Sequence, residues 1–155
     1  MKKILLPAII LFTLIFAACN NAANDAPVAK KDKSSLDSLE GVIEDGHNIG
    51  MSKMGRLSRA ENEVNRLLDS ISKLPSRASE AAAPYKAKLN SLLEELNSAD
   101  SGMNKWMEEY RFDTLKNDIA GRINYLLSET PKVEKIKASI LEGLDKADSL
   151  LKRKF

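Results

Sequence analysis

His47 is the only histidine of this 155-residue chain, and Met51 and Met54 follow it at +4 and +7 in "HNIGMSKM". Residues at i, i+4 and i+7 share one face of a helix. A second stripe stands in "GMNKWMEEY", where Met103, Trp106 and Met107 keep helical spacing and Trp106 is the only tryptophan. Apart from Met1, these two windows hold every His, Met and Trp of the chain. Imidazole nitrogen and thioether sulfur together make a soft donor set, suited to Cu(I) or Ag(I) rather than to a hard divalent ion. Three of His47, Met51, Met54, Met103 and Met107 converging would hold one such ion. Trp106 would cap it through the face of its ring.

The competing reading of the same residues is packing. Methionine fills irregular gaps in cores, and a large ring opposite a glycine is a good steric match. Gly46 and Gly50 stand at positions of the first apolar heptad stripe where large side chains belong. Each interior glycine costs a helix about 1 kcal/mol, so Gly41, Gly46, Gly50 and Gly55 within four turns ask for a partner that needs the space. Other site chemistries fit less well. Glu44 and His47 form one Glu-x-x-His motif, but a di-iron bundle needs two such motifs and two more carboxylates. Haem would need His47 and a methionine as axial ligands, and no Cys-x-x-Cys-His attachment motif is present. No nucleophile with recognisable context partners His47, and the glycines form no phosphate loop. These absences point away from an enzyme.

Long helices must position both windows. From Leu36 to Leu74 apolar and small residues repeat every 3.5 positions. Leu36, Ile43, Gly50, Leu57, Val64 and Ile71 occupy one heptad place; Leu39, Gly46, Lys53, Ala60, Leu67 and Leu74 occupy the other. Pro75 stops the run. Tyr85, Leu89, Leu92, Leu96, Ala99, Met103, Trp106 and Tyr110 make a second stripe, with Pro84 either opening or kinking its helix. A third stripe opens at Asp113 as a candidate N-cap. It runs through Leu115, Ile119, Ile123 and Leu126 to Val133, Ile136, Ile140, Leu144, Ala147 and Leu151. Pro131 falls inside it, so it reads as one kinked helix or as two. Short connections force antiparallel neighbours. The fold expected is all-α: an antiparallel up-down-up three-helix bundle with coiled-coil-like seams. A turn centred near residue 76 brings His47 opposite residue 105 and Gly46 opposite Trp106, which puts both windows at one level.

The N-terminus reads as targeting. "MKKILLPAIILFTLIFAAC" joins two lysines to an apolar run from Ile4 to Phe16, too short for a bilayer span of about 20 residues. Its end, "FAAC", resembles the lipobox of bacterial lipoproteins. That resemblance implies a signal peptide over residues 1–18, cleavage before Cys19 and lipidation, including palmitate, of the new N-terminal cysteine. Cys19 is the only cysteine, so no intrachain disulfide can form. Residues 19–35 lack large apolar side chains except at the boundary with Leu36 and are expected to be a disordered tether, with residues 36–155 as the bundle domain. Asn20, in place of an aspartate after the cysteine, implies the outer membrane facing the periplasm. Without Lys2 and Lys3, acidic and basic residues balance at 22 each. A neutral chain offers no basic face to nucleic acid and no polybasic grip on lipid. The expected partners are a membrane, through the lipid, and a protein of the cell envelope.

The order of lipobox, His-x-x-x-Met-x-x-Met-Gly at His47 to Gly55, and Ala-Asp-x-x-Met-x-x-Trp-Met at Ala99 to Met107, followed by a Lys-rich C-terminal helix, resembles a group of small bacterial envelope lipoproteins. That group carries the label "viral A-type inclusion protein". The resemblance spans roughly residues 40–150. It implies a coiled-coil-rich helical protein and carries no activity with it. The function expected is therefore a membrane-anchored, non-enzymatic helical-bundle lipoprotein with a structural or protein-interaction role. The alternative is a periplasmic Cu(I)/Ag(I)-binding protein.

Overall fold

The computed structural model describes residues 25–152, with side chains from residue 32 onward. The signal peptide, Cys19 and the first residues of the expected tether lie outside the described residues. Three helices make the described chain: α1 (Asp25–Ser72), α2 (Ser76–Glu109) and α3 (Ile119–Leu151). All three pack against one another. The order is up-down-up: Glu40 and Arg56 of α1 meet Arg122 and Asp148 of α3 in parallel sequence, while Glu95 and Trp106 of α2 meet Lys146 and Glu129 of α3 in antiparallel sequence.

The seam is built from the heptad residues. Leu57 and Val64 of α1, Leu89, Leu96 and Met103 of α2, and Leu126, Val133 and Ile140 of α3 are fully buried. At about 25 cal/mol per Å² of apolar surface, this burial is the main force holding the helices together. Tyr85 and Ile119, expected on the stripes, are 37% and 44% exposed.

Four points of the expected architecture are corrected or resolved. First, α1 begins at Asp25, so residues 25–35 are helical rather than a disordered tether. An aspartate and a proline suit a first turn. Alanine and lysine then extend a helix the bundle has already nucleated, at little cost. Second, α2 starts directly after Pro75 and runs through Pro84. Third, Asp113 caps nothing. It pairs with Lys116, and Leu115 adopts φ 58°, a left-handed conformation that ends any helix there. The cap is Asp118, whose carboxylate accepts from the Gly121 amide at 2.9 Å. Fourth, α3 runs through Pro131 as one helix, the first of the two readings, and does not split.

The hairpin register holds to within a residue or two, but one facing pair changes. Gly46 has α3 as its nearest neighbour: a Cβ there would come within 3.2 Å of both Val133 methyls and of a Glu134 oxygen, before any atom of Trp106. The glycine that meets α2 is Gly50, which carries the end of the Met103 side chain on its surface.

Candidate functional site

The end of the bundle formed by the α2–α3 connection holds Trp106, Tyr110 and Tyr125 in a stack. Trp106 and Tyr110 lie ring on ring, with centroids 4.8 Å apart and planes 24° from parallel. Tyr110 continues onto Tyr125 at 5.9 Å, and His47 of α1 tilts against Trp106 at 5.9 Å. One face of this stack opens into a groove of about 720 Å³ lined by Ile43, Glu44, His47, Trp106, Met107 and Tyr110, with Phe112 and Arg122 at its end. Phe112 is 69% exposed, and Leu115 and Ile119 beside it in sequence are also exposed.

Two buried charges fix the stack. Trp106 Nε1 donates to Glu129 at 3.0 Å, and Lys132 donates to the same carboxylate's other oxygen at 2.7 Å. Arg122 is buried and ties three chain segments. It donates to Glu40 of α1 at 3.1 and 3.3 Å and to the carbonyls of Arg111 and Thr114 at 3.2 and 3.3 Å. It also lies over the Tyr125 ring. Tyr125 accepts the Arg111 amide at 2.6 Å. Burial pushes the Tyr110 phenol above its ordinary range, against the opposing charge of Arg122, so it stays neutral.

The sequence stripes divide. His47, Trp106 and Met107 meet: His47 Nε2 lies 3.3 Å from Met107 Sδ. Met103 belongs to the core, fully buried between Gly50 and Ile140. Met54 packs half-buried on the core, and Met51 is 39% exposed on the surface. Of the five candidate donors, two are in contact. Among the described residues no three His, Cys, Asp or Glu side chains converge on one point.

The sequence reading missed Glu40, Arg122, Tyr125 and Glu129. A signal for two of them exists. Leu126, Val133, Ile140 and Ala147 recur by sevens, and the companion seam place falls at 122, 129, 136 and 143. Two charged residues there, in an otherwise apolar or small series, mark either a break in the seam or a buried polar cluster; the structure makes it the second.

Fold and site together define an all-α three-helix bundle with an aromatic groove at one end. Comparison of the chain with known protein families, curated proteins and solved structures finds no match.

Proposed function

We infer that the chain is a membrane-anchored, non-enzymatic lipoprotein of the bacterial cell envelope, and that it binds a protein partner through the aromatic groove. The observation that carries the binding role is the exposed apolar end. Phe112, 69% exposed, lines the groove with Trp106, Met107 and Tyr110, and Leu115 and Ile119, which follow it in sequence, are exposed as well. Clustered exposed apolar side chains beside a concave, aromatic-lined surface are the usual mark of an interaction site. The anchor rests on "FAAC" at the end of an apolar N-terminal run, and its resemblance to lipoproteins labelled "viral A-type inclusion protein" supports the same class. In that setting the periplasmic face of the outer membrane is the site of action.

The test is site-specific photocrosslinking in intact cells. A benzophenone side chain in place of Phe112 should give one discrete protein adduct in the membrane fraction. The same group at Lys73, at the far end of the bundle, should give none. Equal yields from both positions would remove the groove from the proposal, and no adduct from Phe112 would remove the partner.

A further inference from the structure

The contact between His47 and Met107 is chemically incomplete as it stands. Asn48 Oδ1 lies 3.2 Å from His47 Nδ1, and an amide oxygen only accepts, so the ring proton belongs on Nδ1. Nε2 then presents its lone pair to Met107 Sδ at 3.3 Å, a second lone-pair atom with no hydrogen to give. Something positive between them makes the contact attractive. A proton on Nε2 can serve, but thioether sulfur is a weak hydrogen-bond acceptor. A soft cation serves both atoms, since imidazole and thioether are each good ligands for Cu(I).

We propose that His47 Nε2 and Met107 Sδ form a binding site for one monovalent soft cation, Cu(I), at the wall of the groove. Bonds of roughly 2.0–2.3 Å, as nitrogen and sulfur make to zinc, add to about 4.3 Å. Atoms 3.3 Å apart are therefore bridged with a bent angle at the ion. A bent pair leaves one side open to a third donor. Met51 is one helical turn from His47 on the same face of α1. Its side chain is 39% exposed, so it can turn toward the ion without disturbing the core. The Trp106 ring stands beside the imidazole, 5.9 Å away between ring centroids, so an ion held on the imidazole has an indole as its neighbour. Asn48 holds the ring on its far nitrogen, as the outer partner of a metal-bound histidine does. Zinc is disfavoured: it wants thiolates or several imidazoles, and the described residues bring no such set together. The inference rests on donor atoms, and it stands whether or not the groove also binds a protein.

The test is titration of the full chain carrying Cys19→Ser, in detergent, with Ag(I) as the air-stable probe; the substitution removes the one competing thiol. Binding should saturate at one Ag(I) per chain, quench the single tryptophan and raise the melting temperature by mass action. Zn(II) should do none of these. His47→Ala and Met107→Leu should each weaken Ag(I) binding by roughly tenfold or more with helix content unchanged. Met51→Leu should weaken it less. Met103→Leu should lower the melting temperature and leave Ag(I) affinity as it was. Absence of silver-dependent quenching and of any melting shift in the parent chain overturns the site. So does Ag(I) binding that survives both His47→Ala and Met107→Leu.

Discussion

Single residues along α1 show how the same amino acid takes opposite roles. Gly41 has open space where a Cβ would go, with nothing within 4 Å. Gly46 has two Val133 methyls and a Glu134 oxygen at 3.2 Å, and a β-branched valine cannot rotate aside. Gly41→Ala should therefore stabilise by about 0.5–1 kcal/mol through helix propensity alone. Gly46→Ala gains the same propensity but must push α3 away, and overpacking costs about 1–3 kcal/mol. It should lower the melting temperature where Gly41→Ala raises it, and thermal unfolding followed by circular dichroism decides. Glu61 makes a second case. Burial, and then the charge of Asp100, raises its carboxyl above the ordinary 4.5, and its Oε1 is buried with no hydrogen-bond partner. A carboxyl raised in the folded state binds its proton more readily there than in the unfolded chain. Its stabilising contribution is then complete below its unfolded value and is lost as pH rises through the folded one. At neutral pH the charged Glu61 costs stability. Glu61→Gln should melt higher than the parent at pH 7, and the gap should close as pH falls toward about 4. A gap that is constant across that window would mean the carboxylate is better solvated than its surroundings indicate.

At the scale of elements, the helices were legible and their fastenings were not. Heptad repetition places Ile43, Leu57 and Val64 of α1 and Leu89, Leu96 and Met103 of α2 in the core, and each is buried. Loop length then sets the register to within a residue or two. What periodicity cannot see is a charge used as structure. Arg122 occupies a seam position, yet its importance comes from Arg111, Thr114 and Glu40, which are distant in pattern and close only after folding. The α2–α3 connection has few apolar contacts of its own, since Phe112 and Leu115 are exposed. Its backbone is held by the Arg122 guanidinium and by the Tyr125 hydroxyl. Arg122→Leu should free it. The cost should be about 1–3 kcal/mol, the scale of lost hydrogen bonds to a charged group. The 3–5 kcal/mol of a stranded buried ion does not apply, because the Glu40 side chain is 46% exposed and can hydrate. Arg122→Lys should recover little, as an ammonium cannot reach a carboxylate and two carbonyls in one plane. Limited trypsin digestion checks this: cleavage after Arg111 and Lys116 should be faster in both variants while α1 and α2 stay protected. The same fastening explains why half of the candidate site was legible. His47 and Trp106 lie level because of helix phase, whereas the separation of Met107 from Met103 depends on which side of α2 faces Gly50, and heptad counting does not resolve that.

The whole molecule has a direction. The groove, the exposed Phe112 and the N-terminal part of α1 lie at one end, and the α1–α2 turn at Pro75 lies at the other. Residues 34–39 of α1 line a cleft with Ile123 and Leu127 of α3, and α1 continues as a helix back to Asp25, roughly 14 Å further at 1.5 Å per residue. If Cys19 carries lipid, as we infer, the anchor lies six residues before the start of α1, on the side of the bundle that holds the groove. From residue 19 onward, charge adds little to that hold. Acidic and basic residues balance there, which removes electrostatic attraction to anionic lipid. Among the described residues no helix is long and apolar enough to cross a membrane. On the lipoprotein reading, attachment comes from acyl chains, and more than one is needed, because a single chain binds only marginally. Cys19→Ser should therefore abolish incorporation of labelled palmitate and move any processed protein to the carbonate-soluble fraction, or leave it uncleaved and held by its N-terminal apolar run. The melting temperature of the bundle should not change, since position 19 precedes every helix described. Separating these outcomes takes only the apparent mass of the variant and its partition after a carbonate wash. A parent chain without palmitate label, or a processed Cys19→Ser chain that stays in the washed membranes, would place the attachment elsewhere and sever the groove's orientation from the lipid.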